Sequence, residues 1–198
     1  MQYWGEITTN NYTIVITGLG GQGLIRFLQI LGHSLMRKGH KVISSEKHGL
    51  SQRGGKVICF LRFGDKITSP IPLIGSVDMI IATEKACILD VLEFAKPDRS
   101  SKIIVAEYEK KSQNSYYPSE EYFAKVLNEN SENINLVPVL PIVAKYTNLK
   151  IINTIILGYI LRFLPISEED IKKSIKEHFK KEFLVLNQKA LEEGIKLE

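Results

Sequence analysis

The sequence predicts an α/β protein with a Rossmann-like, open and mainly parallel sheet flanked by helices, followed by a helical C-terminal segment. Short β-branched apolar runs alternate with segments of helical periodicity. A glycine-rich turn at residues 18–23 joins the first run to the first helical segment, and the pattern is helical from Ile142 onward. With 198 residues, 44% of them apolar, the chain can bury the core of one domain. We assign residues 1–198 to that domain, with 1–11 as an N-terminal extension and 140–198 as the helical part.

The first elements are a strand, a glycine turn, a helix and a second strand. Residues 13–17 form a β-branched run that stops at Gly18, which indicates a buried strand. Apolar residues then recur at helical spacing until Gly39 ends the helix, and a second strand begins at Val42. The helical apolar positions are Leu24, Phe27, Leu28, Leu31 and Leu35. This order is typical of a βαβ unit with parallel strands.

The middle of the chain continues the alternation with a longer strand over residues 57–63. The next predicted elements are a turn at 64–65, a short antiparallel return over 66–68, a strand over 78–82, a helix over 85–94 and a strand over 102–106.

The last third is predicted to be mostly helical. Residues 107–118 are polar and aromatic and indicate a loop. The elements after it are a helix capped by Ser119 and running to Leu127, a strand over 134–137, a helix start at Ser167 with Asp170 in its first turn, and a terminal helix with an apolar stripe of Phe179, Phe183, Leu186 and Ala190.

The net charge of +4 is unevenly distributed. Residues 1–66 contain nine Lys and Arg against three Asp and Glu, a net of +6, so the rest of the chain carries −2. The glycine-rich part is therefore the electropositive part, which favours anionic partners. No basic run with interleaved aromatic residues indicates nucleic-acid binding.

Cysteine content and hydropathy exclude several classes of protein. Cys59 and Cys87 lie in apolar runs without C-x-x-C spacing, which indicates buried free thiols in a reducing compartment. Two thiols cannot hold an iron–sulfur cluster on their own. Residues 1–11 lack the apolar core of a signal peptide, and the apolar run 151–164 is too short for a membrane span. We therefore expect a cytoplasmic protein without membrane contact.

The glycine turn matches the pattern G-x-G-x-x-G through Gly18, Gly20 and Gly23. Between a strand and a helix, this pattern directs backbone N–H groups and a helix N-terminus toward a pyrophosphate. Glu46 stands where an acidic residue contacts the ribose in dinucleotide enzymes, so a nicotinamide or flavin site remains one interpretation. The alternative is that the glycines only permit a tight turn and close helix–sheet packing.

A second glycine-rich segment, HGLSQRGG, occupies residues 48–55. Arg53 offers a planar set of donors suited to phosphate or carboxylate, although a surface salt bridge is the simpler role. His48 is suited to acid–base chemistry, but no Ser–His, Cys–His or paired-carboxylate set accompanies it in the sequence. We therefore predict neither catalytic nor metal-binding residues, and a plain solvent-exposed loop remains the alternative.

Three motifs occur in a fixed order: GLGGQG at 18–23, SEKHGLSQRGG at 45–55 and RFG at 62–64. Together they resemble the gamma-type domain of 2-oxoacid:ferredoxin oxidoreductases, in particular the indolepyruvate type. The resemblance covers nearly the whole chain after its first eleven residues. Looser matches are Pro70, Asp78, Asn153, Leu157, Gly158, Asn187, Ala190 and Gly194.

The resemblance implies a subunit that is inactive alone. The family oxidatively decarboxylates a 2-oxoacid with coenzyme A, giving an acyl-CoA, carbon dioxide and reduced ferredoxin; the indolepyruvate type uses aryl pyruvates. Thiamine diphosphate, Mg²⁺ and [4Fe–4S] clusters are expected on a partner alpha subunit, and ferredoxin is expected to be reached through the complex. No cofactor is expected on this chain alone, and assembly of the complex and coenzyme A access are the two roles that the resemblance leaves open to it. Alternatives are a gamma subunit for pyruvate, 2-oxoisovalerate or 2-oxoglutarate, and a free-standing NAD-type reductase module.

Position by position, the resemblance makes the two loops the candidate cofactor-binding or docking residues. The first loop contributes Gly18, Gly20, Gly21, Gln22 and Gly23; the second contributes Ser45, Glu46, His48, Gly49, Gln52, Arg53, Gly54 and Gly55. We expect both loops at the carboxyl ends of adjacent strands, where open α/β sheets bind ligands. A pure docking surface for the partner is the remaining alternative.

Overall fold

The computed structural model describes residues 11–48, 55–111 and 117–197. Six strands form one sheet in the order β2-β3-β1-β4-β5-β6. Their bounds are β1 Tyr12–Leu19, β2 Val42–His48, β3 Lys56–Phe63, β4 Met79–Ala82, β5 Lys102–Ala106 and β6 Asn133–Val137. Strands β1, β4, β5 and β6 pair in parallel, whereas β3 runs antiparallel to both β1 and β2. The predicted mainly parallel α/β sheet is confirmed.

The predicted neighbourhood of the first two strands is wrong. Strands β1 and β2 point in the same direction, but β3 lies between them and pairs with each. The chain therefore turns back after β2 as a hairpin instead of continuing a simple βαβ order. Apolar residues alone did not reveal this, because β2 is an edge strand with a largely exposed second half.

The predicted return strand at 66–68 is also wrong, since this segment contains no strand. The side chain of Asn11 holds the turn instead: its Oδ1 accepts from the backbone N–H of Lys66 at 3.0 Å, and its Nδ2 donates to the carbonyl of Lys66. Ile67 is fully buried beside it. These contacts satisfy the backbone without a strand partner.

Six α-helices flank the sheet in the described part of the chain. They are α1 Leu24–Arg37, α2 Glu120–Asn130, α3 Val139–Tyr146, α4 Ile152–Ile160, α5 Glu168–His178 and α6 Lys181–Lys196. The segment predicted as a helix over 85–94 forms two 3-10 turns, 85–90 and 92–94. The predicted caps are confirmed: Ser119 caps α2, and Ser167 with Asp170 forms a capping box at α5.

The core has two parts, one on each face of the sheet. Ile14 and Ile16 of β1 belong to the larger part, which includes residues of α1, α4, α5 and α6, while Val15 belongs to the smaller part with residues of α2 and the 3-10 turns. This split follows from the alternation of side chains along a strand. The predicted apolar stripe on one terminal helix is wrong at its first residue, because Phe179 is the C-cap that follows α5 and only the other three residues lie on α6.

Helices α4 and α6 approach each other at backbone distance. A Cβ built on Gly158 would lie 2.2 Å from the carbonyl oxygen of Leu191, and one built on Gly194 would lie 2.0 Å from the carbonyl oxygen of Ile155. Only glycine permits this crossing at either position. The last helix is thereby packed directly against the helix that borders the glycine turn.

Candidate functional site

The two predicted loops meet at the carboxyl edge of β1. The backbone N–H of Gly20 donates to the carbonyl of Gly55 at 2.7 Å, and the sheet register pairs Leu19 with Lys56. The first loop follows β1 and the second follows β2, and these two strands are not paired with each other. The loops are still neighbours, because β3 starts at the same edge of the sheet and pairs with β1. Gly49, Gln52, Arg53 and Gly54 lie outside the described residues.

Glycines shape the first loop in two ways. Gly21 and Gly23 have φ values of +89° and +86°, which side chains rarely adopt. Gly18 has no room for a side chain, since a Cβ there would lie 2.1 Å from Oγ1 of Thr83 and 2.7 Å from Oε1 of Gln22. The space around a Cβ on Gly21 is open, so this face of the loop is accessible.

The side chain of Gln22 is engaged inside the protein. Its Oε1 accepts from the backbone N–H of Leu19 at 2.7 Å and from Oγ1 of Thr83 at 3.0 Å. Its backbone carbonyl accepts from Nδ2 of Asn153 at 2.6 Å. Gln22 therefore fixes the glycine turn to β4 and α4, and its role toward a ligand stays a prediction.

Ser45, Glu46 and His48 lie on edge strand β2 rather than in a loop. Oε1 of Glu46 is 3.4 Å from Nε2 of His48, and both side chains are about two-fifths exposed. In the register, Ser45 pairs with Phe60 of β3. These residues border the edge where the glycine loop lies, and His48 lines a cavity with Gly20 and Gly21.

Three cavities surround the glycine turn, with volumes of about 380, 400 and 180 Å³. The first lies among α1, α4 and α6, is lined mainly by apolar side chains, and includes Arg26, Lys150 and Asn153. The second lies on the hairpin side and includes His48, and the third includes Lys110 and Lys150. The turn is thus surrounded by cationic side chains.

The N-terminus of α1 adds to this electropositive character. Gly23 is the N-cap, no side chain caps the helix, and the first turn contains no acidic residue. The exposed N–H groups and the helix dipole attract anions at such an end. A phosphate or carboxylate is therefore the chemistry that this edge favours.

Sequence reasoning missed two buried polar residues of the site as functional candidates. Asn153 is 7% exposed, and its Oδ1 has no hydrogen-bond partner within the described part of the chain. Glu84 is 2% exposed, and its carboxylate accepts from the N–H groups of Cys87 and Lys110 and from the hydroxyl of Tyr117. The available signals were a polar residue inside the apolar run of α4 and an acidic residue two positions after the end of β4.

Burial controls the titration of the groups around Glu84 and on β3. Burial, followed by a hydrogen bond to Glu84, raises the pKa of Tyr117. Burial, followed by the charge of Glu84, raises the pKa of the Cys87 thiol, and burial raises the pKa of the Cys59 thiol to about 12. Both cysteines are free and buried, as predicted. Neither is arranged as a ligand for an iron–sulfur cluster or as a nucleophile at neutral pH.

The comparisons with known proteins identify the family. Residues 13–197 match the family described as pyruvate ferredoxin/flavodoxin oxidoreductase. The chain belongs to this family. The indolepyruvate oxidoreductase subunit IorB of Thermococcus kodakarensis is 28% identical over 93% of this chain and 95% of that protein. The predicted resemblance is confirmed, as is the prediction of a subunit of a 2-oxoacid:ferredoxin oxidoreductase.

Two solved structures share the fold. The pyruvate oxidoreductase subunit PORC of Thermotoga maritima has a TM-score of 0.68 at 22% identity. The alignment covers 94% of this chain and 96% of PORC. A 2-oxoglutarate:ferredoxin oxidoreductase from Magnetococcus marinus, with 2-oxoglutarate, coenzyme A and succinyl-CoA bound, has a TM-score of 0.72 at 18% identity. This second alignment covers 95% of this chain and 31% of the longer Magnetococcus chain. No helix among the described residues is long and apolar enough to span a membrane.

Proposed function

We propose that this chain is the beta-type subunit of an aryl-pyruvate oxidoreductase that reduces ferredoxin. The IorB proteins among its relatives and the order of its three motifs support the indolepyruvate type. The pyruvate, 2-oxoisovalerate and 2-oxoglutarate enzymes remain the alternatives for substrate, because the pocket for the 2-oxoacid is expected on the partner.

The decarboxylation chemistry is assigned to a partner alpha subunit with thiamine diphosphate, Mg²⁺ and [4Fe–4S] clusters. The single supporting observation in this chain is its cysteine content: the two thiols are separate and buried, whereas a cluster needs about four thiolates. Electrons would then reach ferredoxin through the complex, and this chain would be inactive alone.

We further propose that the carboxyl edge contacts coenzyme A when the complex turns over. The uncapped start of α1, the open face of Gly21 and the cations Arg26, Lys110 and Lys150 offer sites for phosphate groups. The bound coenzyme A named for the Magnetococcus enzyme supports this ligand. When bound, coenzyme A supplies the thiol that accepts the acyl group, and the residues of this chain hold its anionic part.

Reconstitution tests the proposed function. The purified chain is mixed with the thiamine- and cluster-bearing partner, and coenzyme A-dependent reduction of a viologen dye is followed with indolepyruvate and with pyruvate. We expect activity only from the mixture, and higher kcat/KM with indolepyruvate. Activity of the partner that does not change on adding this chain would contradict the proposal. Micromolar binding of NAD(H) and turnover without a partner would favour the free-standing reductase.

Arg53→Ala tests whether the second loop contacts coenzyme A. A charge-assisted contact contributes about 1.5–3 kcal/mol, so the KM for coenzyme A should rise roughly ten- to a hundredfold. Lys125→Ala, which removes an exposed cation of α2, is the matched control and should leave that KM unchanged. If Arg53→Ala, but not Lys125→Ala, fails to form the complex in size-exclusion chromatography, the second loop is a docking surface for the partner instead.

A further inference from the structure

A cluster of metal-ligating side chains lies away from the glycine turn, where α1 packs against the end of α5. His33 comes from α1, and Glu177 and His178 come from the last residues of α5. One potential ligand atom from each of the three side chains lies within 4.8 Å of the other two. The two imidazole rings meet edge to face, with 4.6 Å between their centroids. Nothing in the proposed function uses these residues.

One of the imidazoles is held in the orientation that metal binding requires. Nδ1–H of His178 donates to the backbone carbonyl of Ser174 at 2.8 Å, so Nε2 is the nitrogen left to face a metal ion. Imidazoles that bind metals commonly donate their second N–H to a carbonyl in this way. Ser174 is itself buried, and its hydroxyl accepts from the hydroxyl of Ser34 on α1 at 2.9 Å. The positions of the two helices relative to each other are therefore fixed beside the cluster.

The carboxylate of the cluster is paired with a cation, since Arg37 of α1 donates a hydrogen bond to Glu177. This contact involves only one of the two carboxylate oxygens, Oε1. A cation is thus already part of the cluster, and it competes with a metal ion for the same carboxylate.

We propose that His33, Glu177 and His178 bind a divalent transition-metal ion of the zinc class, with water as the fourth ligand. Imidazole nitrogen and carboxylate oxygen are ligands that Zn²⁺ accepts in tetrahedral geometry at about 2.0–2.2 Å. Such bonds place ligand atoms about 3.4 Å apart. His33 and Glu177 are exposed, so changes of rotamer can close the remaining gap while His178 stays in place. The ion links α1, which starts in the glycine turn, to α5.

Calorimetric titration of the untagged full-length chain with ZnCl2 tests this site. We expect one Zn²⁺ per chain, and at least a tenfold weaker affinity in His33→Gln and in His178→Gln. His40→Gln is the matched control, because this imidazole packs on Phe63 outside the cluster. Co²⁺ should give the visible absorption bands of tetrahedral coordination, and these bands should be lost in the same two variants.

Two results would overturn the proposal. One is the absence of Zn²⁺ binding by a chain whose circular dichroism shows a folded protein. The other is Zn²⁺ binding that His33→Gln, His178→Gln and His40→Gln leave unchanged or weaken equally. Arg37→Ala adds a directional check, because removal of the competing guanidinium should tighten binding if Glu177 is a ligand. The test needs no partner subunit and no activity assay, so it is independent of the proposed function.

Discussion

At the scale of single residues, the glycine turn depends on a side chain that is not glycine. Oε1 of Gln22 satisfies one backbone N–H of β1 and the hydroxyl of Thr83, and its own carbonyl is bound by Asn153. The sequence placed Gln22 in the first loop but could not reveal its partners, because Thr83 and Asn153 lie 61 and 131 residues away. Such long-range partners leave no local pattern.

Gln22→Ala should therefore destabilise the chain. The N–H of Leu19 would lose its side-chain acceptor in a partly buried place, which costs about 1–3 kcal/mol, whereas the hydroxyl of Thr83 still has the carbonyl of Thr17 as an acceptor. Urea denaturation measures the free energy of unfolding. Gln29→Ala, an exposed change within α1, is the control and should alter it by less than about 0.5 kcal/mol. Equal stabilities of the two variants would contradict the role given to Gln22.

At the scale of elements, most helix and strand positions were predicted from apolar periodicity. The main error concerns which strands pair with each other in the sheet. The strand after Gly39 and the strand over 57–63 were both predicted, but their antiparallel pairing and the resulting hairpin were not. The strands and most helices were identified because apolar spacing reflects which face is buried. The two loops meet as predicted, but they do so through β3 and not through adjacent strands β1 and β2.

The crossing of α4 and α6 gives a sharp prediction at this scale. Gly158→Ala would force a Cβ to within 2.2 Å of a backbone carbonyl, so the helices must separate and the free energy of unfolding should fall by several kcal/mol. Gly32→Ala is the matched control: its Cβ would have no neighbour closer than 3.6 Å, and the lost backbone freedom of the unfolded chain should stabilise the protein by about 0.5–1 kcal/mol. Opposite signs of the two changes in Tm are expected. A Gly158→Ala variant as stable as the wild type would exclude the close packing.

The cap of α5 gives a smaller effect. The hydroxyl of Ser167 accepts from the N–H of Asp170, whose carboxylate accepts from the N–H of Ser167. Ser167→Ala should cost about 1 kcal/mol in thermal or chemical unfolding, whereas Ser167→Asn should restore much of it. Equal losses in both variants would show that capping is not the cause.

At the scale of the whole molecule, the buried weak acids should make the protein sensitive to alkali. Burial raises the pKa of Cys59 to about 12, and it raises the pKa of Cys87, Tyr12 and Tyr117 as well. The folded chain therefore keeps protons that the unfolded chain loses above about pH 9. Below that pH these groups should not reduce the free energy of unfolding. Between pH 9 and 12 the free energy of unfolding should fall by up to about 1.4 kcal/mol per pH unit for each group.

Urea unfolding under reducing conditions at pH 7, 9 and 10.5 measures this fall. Cys59→Ala removes one of the protons, so its stability should decline less steeply with pH even though its stability at pH 7 is lower. Val57→Ala, a neighbouring core change without a titratable group, should keep the slope of the wild type. Identical slopes in all three proteins would refute the assignment of the raised pKa to the buried thiol.

The whole molecule also shows what sequence information can and cannot supply about the site. The electropositive first third was visible from composition, and the structure places Arg26 beside the glycine turn. Lys110 and Lys150 also lie beside the glycine turn. Both belong to the part of the chain after residue 66, whose net charge is −2, so composition did not point to them. The cavity shared by Arg26 and Lys150 lies among α1, α4 and α6, which are far apart in the sequence.

The insertion of β3 between β1 and β2 has an evolutionary consequence. Both strands of this hairpin are paired up to His48 and Val57. The carbonyl of Gly55 also accepts a hydrogen bond from the N–H of Gly20. The chain therefore enters and leaves residues 49–54 from paired strands. Substitutions between these two points do not alter the register of the sheet, so homologous enzymes can diverge there while the fold is kept.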